Sequence, residues 1–163
     1  ENVVDTMSNI IAKTEEIYNF DKQDKLGYLD EFDVIQSTVT KLADDLNAKG
    51  ILALTSSGKS PMKISRYRPK TKILAFTHKK KVLNSLCAIW GVYPISVIKE
   101  GQASKMIQKM LKSLESRNLL DMEGPYIATI GYPVGSPGST NTIKILTKSE
   151  IEYYLNLPSN KKK

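Results

Sequence analysis

The chain has 163 residues, a 40% hydrophobic share and a net charge of +7. That is enough apolar material for one compact domain burying about two-thirds of its unfolded surface. One cysteine rules out an internal disulfide framework and fits a reducing, cytoplasmic setting. No apolar stretch approaches the roughly 18 residues needed to span a bilayer, so no membrane partner is expected.

Val4, Met7, Ile10, Ile11, Thr14 and Ile17 recur at helical spacing, which predicts an amphipathic helix over residues 1–18. The stretch from Asn19 to Asp33 is charged and aperiodic and reads as a linker. A second helix is expected from Asp33 to Ala48, with Val34, Ile35, Val39, Leu42, Ala43 and Leu46 on one face. Gly50-Ile-Leu-Ala-Leu54 is a short, doubly buried strand, followed by the turn Thr55-Ser-Ser-Gly-Lys-Ser60 and a short helix reaching Arg66. Arg68-Pro69 interrupts, because a residue before proline is pushed out of the α region.

Ile73-Leu-Ala-Phe76 is the second strand, and Thr77 is placed to cap a helix through Ile89 that ends ahead of Gly91. Pro94–Ile98 is the third strand, and Met106, Ile107, Met110, Leu111 and Leu114 mark a further helix with its methionines in the core. Strand 125–131 precedes a second turn, Pro133-Val-Gly-Ser-Pro-Gly-Ser139, and a last strand Asn141–Leu146. Residues 149–163, ending in three lysines, read as a loose tail.

Strands alternating with helical segments imply βαβ units and a mostly parallel sheet covered on both faces. Only a short turn separates the last two strands, too little for a helical crossover, so the last strand is expected to be antiparallel. The predicted fold is a three-layer α/β/α sandwich on a five-stranded mixed sheet.

The two Ser/Gly-rich turns leave the ends of apolar strands, where backbone N–H groups and hydroxyls can converge on a phosphate without a dedicated cation. In the first turn, Thr55, Ser57 and Ser60 offer hydroxyl donors, Ser56 and Lys59 offer backbone N–H groups, and Gly58 permits the tight path and a close approach. Lys59 could add a point charge or point to solvent. The competing reading is a Ser-rich turn that only caps a helix. The turn is not a P-loop, since the first glycine is missing from the required spacing. The second turn offers Val134, Gly135, Ser136, Gly138 and Ser139, while Asn141 and Thr142 read as pins between turn and strand.

Other residues read more plainly. His78, the single histidine, has no partner for metal or triad chemistry. Cys87, among Leu83, Leu86 and Trp90, reads as a small buried apolar group. Lys79, Lys80 and Lys81 read as a solvated helix face, with phosphate steering as the alternative. No catalytic or metal-ligating set is expected. A basic nucleic-acid module is an alternative suggested only by net charge, and basic residues scattered over every segment argue against it.

Leu52-Ala-Leu-Thr-Ser-Ser-Gly-Lys-Ser60, Ser65-Arg-Tyr-Arg-Pro69, Ile73-Leu-Ala-Phe-Thr77, Trp90-Gly-Val-Tyr-Pro94 and Gly138-Ser-Thr-Asn-Thr142 follow one another in an order and spacing that resemble the C-terminal domain of pyruvate kinase. The helix Glu1–Tyr18, with Val4-Asp-Thr-Met7 and Thr14-Glu-Glu16, resembles the last helix of that family's catalytic barrel. The resemblance divides the chain into residues 1–33, a final barrel helix plus linker; 34–147, the C-terminal domain; and 148–163, a basic tail.

A (β/α)8 barrel takes at least roughly 200 residues, so the resemblance implies that the catalytic lysine and the Mg and K sites lie outside this chain. The fragment itself is then inactive, without catalytic residues or cofactors. The start at Glu rather than Met fits a piece cut from a longer protein. The resemblance implies a parent enzyme that transfers phosphate from phosphoenolpyruvate to ADP.

What the resemblance assigns to this part is an allosteric effector site at Thr55–Ser60, closed by the second turn, together with contacts to the barrel and to other subunits of a tetramer. The family pattern also gives Arg66 and Arg68 packing and salt bridges near a domain boundary. Family members regulated by fructose 1,6-bisphosphate tend to carry an arginine and an aromatic in the closing turn, with a tryptophan and arginine from an earlier loop. This sequence has neither set, so the resemblance points to a sugar monophosphate or AMP rather than a bisphosphate. A free-standing sugar-phosphate or nucleotide sensor of the same fold is the other alternative.

Overall fold

A computed structural model of the chain describes residues 2–17, 30–97, 101–132 and 140–158. Eleven elements occur among them: α1 (Asn2–Ile17), α2 (Glu31–Asp45), β1 (Gly50–Leu54), α3 (Lys59–Arg66), β2 (Ile73–Thr77), α4 (Lys80–Leu86), β3 (Val92–Ser96), α5 (Ala103–Glu115), β4 (Tyr126–Gly131), β5 (Thr140–Leu146) and α6 (Lys148–Leu155).

The five strands form one sheet in the order β3-β2-β1-β4-β5. β1 pairs in parallel with β2 and β4, and β2 with β3, while β4 and β5 are antiparallel. The mixed sheet and its reversed last strand therefore match the sequence expectation. Side chains alternate between two cores. Ile51, Ala53, Ile73, Ala75 and Ile127 meet Val39 and Ala43 of α2, Ile64 of α3 and Leu86 of α4. Leu52, Leu74, Phe76, Tyr126, Ala128 and Leu146 meet Met106, Met110, Leu111 and Leu114 of α5 and Ile151 of α6. With both faces covered, β1 and β2 read as continuous apolar runs, as buried parallel strands should.

Local signals set the boundaries. Asp30 caps α2, its carboxylate accepting the Asp33 N–H at 2.7 Å. Gly50 sits where a Cβ would come within 2.9 Å of Leu74 Cδ1 and 3.0 Å of the Tyr126 ring. The strand therefore starts at the residue with no side chain. β3 begins straight after Gly91, whose φ of +67° suits glycine, and spans Val92–Ser96 rather than 94–98. It is an edge strand. Gly91 O accepts from Ile73 N and Val97 N donates to Thr77 O, so the backbone groups of the odd-numbered residues face β2, while Val92 N donates to Ile89 O.

Two further expectations change. α4 is shorter than the predicted 77–89 helix: Thr77 stays buried in β2, its hydroxyl accepts the Lys79 N–H at 3.3 Å, and the helix starts only at Lys80. Residues 148–155, expected largely within a loose tail, form α6. Thr147 and Glu150 make a capping box, and Ile151 is fully buried beneath it.

Candidate functional site

The strand order reverses between β1 and β4, and ligands of open α/β sheets bind outside the carboxyl ends of strands at such a switch point. From β1 the chain enters the turn Thr55–Gly58 and then α3. Thr55 N donates to Phe76 O at 2.9 Å, which anchors the turn to β2, and the Thr55 hydroxyl oxygen accepts the Gly58 N–H at 2.9 Å. Gly58 caps α3 with φ +85° and ψ −4°, a left-handed conformation that glycine adopts without a Cβ penalty. A Cβ there would touch Leu86 at 3.4 Å and Val82 at 3.5 Å, so the turn rests against α4.

This arrangement distributes the donors unevenly. The Gly58 N–H is consumed inside the turn by the Thr55 hydroxyl oxygen. Of the helix's first N–H groups, Pro61 has none and Met62 donates to Gly58 O at 3.2 Å. Helix geometry leaves the Lys59 and Ser60 amides without an intrahelical acceptor. Ser57 and Lys59 are exposed and Ser56 is half-buried. No acidic residue lies in the first turn of α3, so the positive end of the helix dipole is not offset there. Two amides, small hydroxyls and a helix terminus together suit the oxygens of an anion.

The structure brings together all six residues expected in the first turn, and it adds Thr140. The Ser60 Oγ lies 2.8 Å from Thr140 Oγ1, and both residues are buried. Thr140 opens β5 opposite Gly131 of β4, so the first turn is tied to the strand that follows the second. In the sequence Thr140 stands only within the Gly138–Thr142 motif, and the folded sheet alone sets it against a residue eighty positions earlier. Val134, Gly135, Ser136, Gly138 and Ser139 lie outside the described residues. Asn141 does pin the flanking backbone: its amide donates to Tyr132 O at 2.7 Å and its Oδ1 accepts from Tyr132 N at 2.8 Å.

The remaining candidates fall away from the turn. Arg66 pairs with Asp33 at 2.9 Å and lies over the Tyr67 ring, and Arg68 stacks on Trp90 at 4.5 Å. Arg66 thus serves ion pairing and packing, and Arg68 packs on the indole. The Trp90 indole N–H donates to Glu15 of α1. His78, Lys79, Lys80 and Lys81 are exposed. Cys87 is exposed too, which corrects the expectation of a buried thiol: it is the C-cap of α4, and Leu86 beside it is the one buried residue of that helix. Among the described residues no cluster of His, Cys, Asp or Glu could hold a metal ion, and no helix is long and apolar enough to cross a membrane.

Comparison with known proteins agrees with this architecture. Residues 33–146 match the family model described as pyruvate kinase, alpha/beta domain. The chain is 32% identical to a pyruvate kinase of Staphylococcus epidermidis over 151 residues, covering 89% of this chain and 26% of that protein. It is 34% identical to pyruvate kinase 2 of Synechocystis over 111 residues, covering 68% of this chain and 19% of the relative. Against a pyruvate kinase of Clostridium acetobutylicum it is 30% identical over 146 residues, covering 87% and 31%. The chain therefore spans less than a third of the length of these relatives. The matched segment contains the whole five-stranded sheet, and on that ground the chain belongs to the pyruvate kinase family through its alpha/beta domain.

Proposed function

We propose that this chain is the effector-binding and subunit-assembly part of a cytoplasmic pyruvate kinase, and that Thr55–Ser60 holds the phosphate of a small-molecule effector. The single observation that carries the reading is the position of that turn. It leaves β1 where the strand order reverses and presents the Lys59 and Ser60 amides, which have no intrahelical acceptor, at the start of α3. A phosphate there accepts from these amides and from the Ser57 and Thr55 hydroxyls, and Lys59 adds charge at the rim.

Phosphate transfer from phosphoenolpyruvate to ADP belongs, on this reading, to a catalytic barrel outside the chain, with its Mg and K ions, and the 163 residues alone are inactive. α1 is then the last helix of that barrel. Its Val3, Val4, Met7, Ile10 and Ile11 are each at least half exposed, a stripe that the barrel covers in the complete subunit. The effector is a monophosphate, a sugar phosphate or AMP, since the sequence lacks the arginine and aromatic pattern of bisphosphate-regulated members.

Thermal-shift measurements with ribose 5-phosphate, glucose 6-phosphate, AMP and fructose 1,6-bisphosphate test this. A ligand at about a hundred times its Kd stabilises by about 2.7 kcal/mol, which raises the Tm of a domain this size by roughly 5–10 °C. At least one monophosphate is expected to do so, and Ser60→Glu to abolish the shift by placing a carboxylate in the pocket. The site assignment fails if none of the four ligands moves the Tm, or if Ser60→Glu leaves the shift intact.

A further inference from the structure

We propose that Thr140 is a positioning residue for the anion site, setting the direction of the Ser60 hydroxyl proton. The inference rests on the reading of Thr55–Ser60 as that site. Its basis is the 2.8 Å separation of the two hydroxyl oxygens, buried between α3 and the first residue of β5.

A hydroxyl has one proton and two lone pairs. At this distance only one of the two protons lies between Ser60 and Thr140, so the pair has two arrangements. When Ser60 donates to Thr140, the Ser60 oxygen offers an incoming anion nothing but lone pairs. When Thr140 donates to Ser60, the Ser60 proton is released to point at the anion, beside the amides of Lys59 and Ser60. Bound phosphate selects the second arrangement, giving a run of donors from Thr140 through Ser60 to the anion in which each bond polarises the next. Thr140 does not touch the ligand. It acts through Ser60, and it couples occupancy of the first turn to the start of β5.

The test uses the full chain and titrates inorganic phosphate and ribose 5-phosphate by calorimetry. Thr140→Val keeps the β-branched shape that suits a strand and removes the donor. Thr140→Ser restores it. Thr140→Val is expected to weaken phosphate affinity about five- to tenfold, the scale of one hydrogen bond, and Thr140→Ser to recover most of the loss. In a Ser60→Ala background Thr140→Val is expected to have no further effect, because its partner is gone. A purely structural role would instead give the same loss with or without Ser60. Unchanged or tighter binding by Thr140→Val, failure of Thr140→Ser to rescue, or additivity with Ser60→Ala overturns the proposal while the site reading stands. No binding of either probe by the unmodified chain overturns the site reading itself, and this inference with it. Melting curves of each variant separate loss of binding from loss of fold.

Discussion

The Asp33 carboxylate, fully buried in the first turn of α2, accepts a hydrogen bond from the Arg66 guanidinium at the end of α3, at 2.9 Å. Lys63 stands 3.8 Å away on the same helix and bonds Asp30, the cap of α2, at 2.7 Å. Two helices that cover the same sheet face are thereby held together, the start of α2 against the end of α3.

The two partners are unequal, and their variants will differ accordingly. Arg66 keeps about a third of its side chain in solvent and Asp33 keeps none. Removing Asp33 leaves a cation that can turn to water, whereas removing Arg66 leaves a buried carboxylate without its nearest cation. Urea denaturation is expected to show a loss of about 1–2 kcal/mol for Asp33→Asn and about 3 kcal/mol for Arg66→Met. Equal losses would mean that Asp33 is solvated on unpairing.

The Lys144–Glu150 pair gives the fold a pH dependence at its other end. The hydrogen bond from Lys144 holds the Glu150 carboxyl below its ordinary value of 4.5, and Glu150 holds the Lys144 ammonium above 10.5. A lowered carboxyl stabilises fully above its ordinary value and loses its contribution as pH falls through the folded value. The raised lysine contributes fully below its ordinary value and loses its share as pH rises through its folded value. Glu150→Gln, which also weakens the capping box, is expected to cost about 1 kcal/mol at about pH 7, the solvent-screened scale of a partly exposed pair. That difference from the unmodified chain will shrink steadily below pH 4.5 in melting experiments at stepped pH. A difference that stays constant down to about pH 2 would assign the effect to packing instead.

Gly58 and Gly50 separate strain from crowding. Alanine at Gly58 meets only ordinary contacts but must hold φ +85°, at about 1–2 kcal/mol. Alanine at Gly50 has an ordinary backbone but drives a methyl into Leu74 and Tyr126, at about 1–3 kcal/mol. Phosphate titration distinguishes them: Gly58→Ala is expected to lower both Tm and affinity, and Gly50→Ala to lower Tm alone.

Much of this is legible in the residues. Gly50–Leu54 and Ile73–Phe76 announce buried strands because both sheet faces are covered, and the short β4–β5 connection dictates its own direction. Cys87 reads wrongly as buried because its apolar neighbours suggest a core face, whereas α4 buries Leu86 alone and Cys87, one position on, lies on the exposed side. α6 hides behind a polar composition with one fully buried residue, Ile151. Its readable mark is Thr147 three positions ahead of Glu150, a capping-box spacing overshadowed by the lysines that follow. Thr140 needs the sheet itself, since no local pattern sets it against Ser60.

The register of β3 has a consequence for solubility. The backbone groups of Tyr93 and Ile95 face β2, so the outward amide positions of the strand belong to Val92, Pro94 and Ser96. Val92 spends its N–H on Ile89, and Pro94 has none to give. Within Val92–Ser96 only Ser96 keeps an outward N–H, so a foreign strand approaching this rim finds carbonyls but almost no donors to complete a ladder. The protein thus carries at β3 a built-in guard against runaway edge-to-edge growth.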